Sequence, residues 1–255
     1  MKTMRLSQPH MFAERPISGI PCLLALAAIS LFCGCVKVDQ TLTLNPDGTG
    51  TINLSYARSE ESASTMQGFA RAMMDQSGPD MQTPLDFTDE ELRQDFKEYE
   101  PFGVFLDSLK SEERDGWKYR HMVIRFRDLK GLAQTGFLSD RNISIARNAQ
   151  GNYVFTQAAS ANGNIPEELS GDDPQTAYML AQLMEGFRAV IRVRTPGRIL
   201  ETNAPEKTDN SATWTFDLDK DPQALEKVQK LSMKIVFDGK GLKIPDFRTV
   251  AVPGR

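Results

Sequence analysis

Acid–base chemistry near neutral pH most often needs a histidine, and this chain of 255 residues has two, His10 and His121. His121 sits in Trp117-Lys118-Tyr119-Arg120-His121-Met122-Val123-Ile124-Arg125-Phe126. On a strand it shares a face with Trp117, Tyr119, Val123 and Arg125, while Arg120, Met122, Ile124 and Phe126 take the other. A serine triad would have to use it, yet no G-x-S-x-G elbow supplies the nucleophile. The plainer reading is a half-exposed histidine among aromatics. Glu90/Glu91, Glu112/Glu113 and Asp172/Asp173 are carboxylate pairs of the kind that share acid–base work. The first and third fall where helix caps belong and the second precedes a turn, with no apolar stretch to raise a pKa. Solvated surface explains them. No Walker A loop, G-x-G-x-x-G or H-E-x-x-H occurs. Asp47 in Asn45-Pro46-Asp47-Gly48-Thr49-Gly50 invites a calcium reading, but one carboxylate is far short of an EF-hand ligand set.

The cysteines are grouped. Cys22, Cys33 and Cys35 all lie in the first 35 residues, with His10. If that segment is removed, one cysteine and one histidine remain, too few for a disulfide framework or a Cys/His zinc site. No metal and no cofactor is expected. Lys2, Arg5 and Arg15 form a basic lead to the apolar run Ile20 to Phe32. That run is too short to span a bilayer as a helix and suits the core of a signal peptide. It ends in Leu31-Phe32-Cys33-Gly34-Cys35, which resembles the lipobox of bacterial lipoproteins, with Gly34 and Cys35 matching and Phe32 and Cys33 departing from it. The resemblance implies cleavage after Gly34 and acylation of Cys35. An ordinary secretory signal or an uncleaved anchor is the competing reading. Two or three acyl chains would hold the protein firmly, since one alone is marginal.

Charge supports the same picture. The chain has 30 Lys+Arg against 34 Asp+Glu, and losing Lys2, Arg5, Arg15 and Glu14 leaves a net −6. No cationic excess is available to neutralise phosphates, so nucleic acid is not an expected partner. Anionic lipid would repel the domain mildly, so the anchor must hold it at the membrane. An acidic residue after the lipidated cysteine commonly marks inner-membrane retention in double-membrane bacteria. Val36 is not acidic, which favours the outer membrane if the cell has one.

A length of 255 residues suits one large domain or two small ones, and 40 % hydrophobic residues can fill a real core. Val36, Val38, Leu42 and Leu44 alternate with polar residues, as do Ile52, Leu54 and Tyr56 after the Asp47-Gly48 turn, which predicts a hairpin. Further hairpins are expected at Val104 to Leu109 with Trp117 to Phe126, and at Ile143 to Ile145 with Tyr153 to Phe155. Ala189 to Val193, Ile199-Leu200, Trp214 to Leu218 and Met233 to Phe237 predict single strands. Helices are expected after Ser59, after the Thr88-Glu91 capping box, at Asp128 to Ala133, after Asp173-Pro174 and after Asp221-Pro222. Hairpins separated by helices predict an α+β fold: a largely antiparallel curved sheet with helices packed on one face. Residues 1–34 form the signal peptide, 35–238 a single domain, and 239–255 a frayed C-terminal tail.

Two features could meet a ligand. Met66, Met73, Met74 and Met81 cluster beside Phe69, and Met184 lies on a later apolar helix face. Flexible thioethers suit a promiscuous apolar groove or lid, yet they fill cores more often. Met66, Phe69, Met73 and Met184 are the candidate ligand-binding residues. Arg188, Arg192, Arg194 and Arg198 line one strand and its turn. They could meet an acidic headgroup or partner, or be the wet side of a sheet.

Three stretches read together. They are Gly34-Cys35-Val36 leading to Thr41 through Gly50, Val193 through Ile199 with Thr202-Asn203-Ala204, and Ala212-Thr213-Trp214 before Asp217-Leu218. A lipidated cysteine entering a "DGxG" hairpin, followed late by a "PG…N…W" block, resembles the LppM-like domain of bacterial lipoproteins. The match covers the two ends of the mature chain, leaving about 58–185 as a large insertion. Many members carry a C-terminal membrane helix, which this sequence does not show. The resemblance implies an envelope lipoprotein with an α+β domain, suggested lipid or glycolipid binding and no established catalysis. The expected function is therefore a non-catalytic, lipid-anchored envelope protein that binds an amphiphile or an envelope protein partner. A structural envelope-assembly lipoprotein without a small ligand is the alternative, and a hydrolase using His121 a third.

Overall fold

The computed structural model describes residues 36–60, 85–135, 142–158 and 186–248. The first hairpin joins β1 (Val36–Leu44) to β2 (Gly50–Ser59). Its turn closes because the Asp47 carboxylate accepts the Thr49 N–H (3.0 Å) and hydroxyl (2.8 Å), while Gly48 takes φ +90°. The second joins β3 (Val104–Arg114) to β4 (Trp117–Phe126) through Asp115 and Gly116, at φ 54° and 73°. Positive φ at both central residues is the two-residue turn whose twist matches antiparallel strands. The third joins β5 (Asn142–Arg147) to β6 (Tyr153–Ala158). Then follow β7 (Arg188–Arg194), β8 (Ile199–Thr202), β9 (Glu206–Lys207), β10 (Ser211–Asp217), β11 (Met233–Phe237) and β12 (Phe247–Arg248).

Where one curved sheet was expected, these strands build two. The larger has the order β3-β4-β2-β1-β7-β10-β9 and the smaller β12-β5-β6-β11-β8. All pairings are antiparallel except β1 with β7, which run parallel from Lys37↔Arg188 to Thr43↔Arg194. Alternation decides the faces. Leu42, Leu44, Ile52, Leu54, Met122, Ile124, Val193 and Trp214 turn inward and meet Ile143, Phe155, Met233 and Ile235 of the smaller sheet in one core. One cavity between the sheets, bounded by Gln40, Leu42, Ile191, Phe155, Gln157 and Met233, holds about 20 Å³, room for roughly one water.

Three helices lie among the described residues: α1 (Asp89–Tyr99), α2 (Leu129–Gln134) and α3 (Ala224–Gln229). α1 begins with the expected capping box, in which Thr88 and Glu91 exchange backbone and side-chain bonds. Leu92 and Phe96 bury its apolar stripe. α2 is capped by Asp128, whose carboxylate accepts the Gly131 N–H at 2.7 Å. α3 starts later than expected: Asp221 turns the chain by accepting the Gln223 N–H (3.1 Å), and no side chain caps the helix. The expected helices after Ser59 and Asp173 lie outside the described residues. No described helix is long and apolar enough to cross a membrane.

One buried cation fixes α1. Arg120 points into the core face of β4 and is 5 % exposed. Its guanidinium donates to the Phe87 carbonyl (2.8 Å), to Ser111 Oγ (3.0 Å) and to Asp89 (3.2 Å). The fork thus ties the first turn of α1 to β3 and β4. Arg120→Ala strands those acceptors and should lower unfolding stability by about 2–4 kcal/mol. Asp89→Ala, whose carboxylate is partly solvated, should cost no more than ~1 kcal/mol. Urea melts of the two variants check the ranking, and equal losses would mean that Arg120 does not pin the helix.

Candidate functional site

Among the described residues, those with catalytic potential do not converge. His121 is half-buried on the outer face of the larger sheet, its ring stacked on Tyr119 at 6.4 Å. Glu112, on the same face, has its pKa lowered by a hydrogen bond from Lys110 (2.9 Å apart). Glu91 is lowered by the Thr88 N–H and hydroxyl it accepts in the capping box. Glu113 meets Lys118 at 3.5 Å. Asp172 and Asp173 lie outside the described residues. The arginine row has local partners as well. Arg188 approaches Asp217 at 3.8 Å, and Arg192 donates to Thr41 Oγ1 (3.2 Å) and approaches Asp39 at 3.9 Å.

Cys35 and the candidate ligand residues Met66, Phe69, Met73 and Met184 all lie outside the described residues. What the structure does show is a groove of about 560 Å³, within the range of ligand sites. It lies between the β1–β2 turn, α2 and the segment Ile244–Arg248. Leu129 and Ile244 are buried at its floor, and Ala133 and Phe247 are half-buried. Asp128, Lys130, Asp246 and Arg248 are exposed around it and carry both signs of charge.

Each wall has a local cause. Gly131 lets α2 lie against the Phe102 carbonyl, where a Cβ would collide. The third wall is the stretch read from sequence as a frayed tail, and as far as Arg248 it is held down. Arg147 donates to the Leu242 (2.6 Å) and Gly239 (3.3 Å) carbonyls while its guanidinium covers the Tyr153 ring at 4.4 Å. Tyr153 Oη donates to the Ile244 carbonyl at 2.7 Å, and the Lys243 N–H to that of Pro46, also at 2.7 Å. Pro245 then packs over Gly48, in the space a Cβ there would need. Neither Gly/Pro content nor the absence of periodicity could reveal this clasp. The apolar residues Leu242, Ile244 and Phe247 among polar neighbours were the one signal.

The sequence reading also passed over Asp95. It sits between Leu92 and Phe96 on α1, and its Oδ2 is buried without a hydrogen-bond partner. Burial raises its pKa first, and the nearby Glu98 and Glu91 raise it further. Tyr99, one turn on, is raised mainly by burial and then by Asp95. A carboxyl whose folded pKa is raised destabilises the fold once ionised. The penalty is absent below the ordinary aspartate range, grows as pH rises above it and is complete above the folded pKa. Asp95→Asn should therefore raise the urea midpoint at pH 7. The gain should vanish below about pH 4, where the native side chain is protonated too. A pH-independent gain would assign the effect to packing instead.

No family model and no curated protein matches the chain. Among solved structures it is similar to the folded domain of the LppM protein of Mycobacterium tuberculosis, determined by NMR. The two share 13 % sequence identity and a TM-score of 0.41, over 80 % of this chain and 90 % of that one. The likeness is a distant one of fold.

Proposed function

We propose that this chain is a lipid-anchored lipoprotein of the bacterial cell envelope that holds an amphiphile in the groove beside α2 and does no catalysis. The groove carries the reading. An apolar floor of Leu129 and Ile244 with Ala133 and Phe247 suits an acyl or other apolar body. Lys130 and Arg248, alternating with Asp128 and Asp246, suit a polar head of either sign. The absence of catalysis is supported by His121 lying on an open face and by carboxylates that their neighbours keep ionised. The anchor is supported by the lipobox-like Gly34-Cys35, and the neutral Val36 favours the outer membrane where there is one. That Met66, Phe69, Met73 and Met184 also bind a ligand is kept as part of the proposal on the sequence pattern alone.

A second reading is favoured by the cavity bounded by Leu42, Phe155 and Met233 between the sheets, whose volume of about 20 Å³ is too little for a lipid chain. On that reading the protein is a structural element of envelope assembly without a small ligand.

Mass spectrometry separates these. The intact mass of membrane-extracted protein should equal residues 35–255 plus acyl groups, and an unmodified Cys35 would end the anchor reading. Under native conditions, a chain beginning at Val36 and purified gently from its own cells should carry a discrete mass of lipid size. Ala133→Trp, which fills the groove from the half-buried face of α2, should abolish it. A bare chain mass would leave the structural reading in place.

A further inference from the structure

The chain reaches the sheet without slack. Val36, next to Cys35, is already the first residue of β1, fully buried and paired with Arg58. Consecutive Cα atoms are about 3.8 Å apart, so an acylated Cys35 would bring the headgroup layer to this end of the larger sheet. The same end carries aromatics and cations. Ser59, one residue past the partner of Val36, pairs with Trp117. Trp117 therefore lies one residue beyond the level of Val36, on the side from which the chain arrives. Lys37 Nζ sits over its ring at 4.2 Å, and Tyr119 follows at 6.3 Å on the same outer face. Beside them the β3–β4 turn projects, with Arg114 and Asp115 exposed and Gly116 accepting the Glu60 N–H.

We infer that this end is a bilayer-docking surface, with Trp117 and Tyr119 lodged in the headgroup layer of a phospholipid membrane and the β3–β4 turn resting on it. The inference rests on the proposed acylation of Cys35. Indole and phenol rings, apolar with one polar atom, favour that layer. Charge does not drive the docking. Lys37, Arg114, Lys118 and Arg188 are balanced by Glu60, Glu113, Asp115 and Asp217, several of them in ion pairs. A zwitterionic surface is therefore sufficient. The turn at Asn45 to Thr49, at the far end of β1, faces away from the bilayer.

Cys35 is the only cysteine from residue 35 onward, which gives a test independent of lipidation in the cell. A chain beginning at Cys35 is coupled through that thiol to maleimide-headgroup lipid in phosphatidylcholine vesicles. It is compared with a chain beginning at Val36 mixed with the same vesicles. Lipids brominated near the headgroup should quench tryptophan emission of the tethered chain at least about twofold more than that of the free one. Trp117→Phe should remove the difference, since Trp214 is 4 % exposed in the core. In the unmodified tethered chain, amide exchange at residues 114–117 should slow severalfold while residues 45–49 keep their rates. Equal quenching of tethered and free chains, or protection at 45–49 in place of 114–117, would overturn the docking while leaving the mass of the acylated protein untouched.

Discussion

The structure hangs on β1 being hydrogen-bonded along both edges. It pairs with β2 over all nine of its residues and with β7 over seven of them. A strand held on both sides cannot slip by one residue without moving Leu42 and Leu44 from the core to water. Several buried apolar side chains would be exposed together, at about 1.5–3 kcal/mol each, so the register is strongly fixed. Everything with functional potential then refers to this strand. Its first residue adjoins Cys35, and the turn after its last residue supplies one wall of the groove.

Two arginines attach the remaining elements to this frame, and both act on backbone carbonyls. Arg120 reaches the Phe87 carbonyl and places α1, while Arg147 reaches those of Gly239 and Leu242 and places the last segment. A planar guanidinium offers five donors in a fixed fork, so one side chain can satisfy several carbonyls that no strand or helix would otherwise pair. This suits a short helix and an irregular segment, neither of which can order itself by propensity alone. The two solutions differ in setting. Arg120 is desolvated and shares Asp89, whereas Arg147 stays partly wet and uses the Tyr153 ring as its apolar support.

Local order, the three hairpin pairings included, was legible in the sequence and non-local pairing was not. Asp115-Gly116 between alternating runs specifies its turn through backbone geometry alone, and Thr88 with Glu91 specifies the start of α1 in the same way. Period-two alternation put His121 on one face of β4 and Met122 and Ile124 on the other, and the structure buries the second face. Alternation says which residues share a face, but nothing about which strand lies alongside. The parallel placement of β7 against β1 joins residues 151 apart in sequence, and the separation of β5, β6, β8, β11 and β12 into a second sheet is equally non-local. Arg120 shows a related gap. Alternation grouped it with Met122 and Ile124, but a charge on that buried face becomes intelligible only when Asp89 and the Phe87 carbonyl arrive from another element. The groove has no outline in the sequence, because its walls come from three segments that meet only in the fold.

The geometry of β1 also constrains how the two proposed activities relate. Its nine residues span about 27 Å, with the anchored end at Val36 and the groove beyond Leu44. A domain seated on the bilayer by Trp117 and Tyr119 therefore holds the groove well clear of the membrane that anchors it. An amphiphile could not slide sideways from that leaflet into contact with Leu129 and Ile244. It would have to arrive through water, or from a partner or surface facing the β1–β2 turn. That requirement favours a ligand soluble enough to be handed over, with a head large relative to its apolar part. The mixed charges of Lys130, Arg248, Asp128 and Asp246 around a shallow apolar floor are matched to such a molecule better than to a long acyl chain.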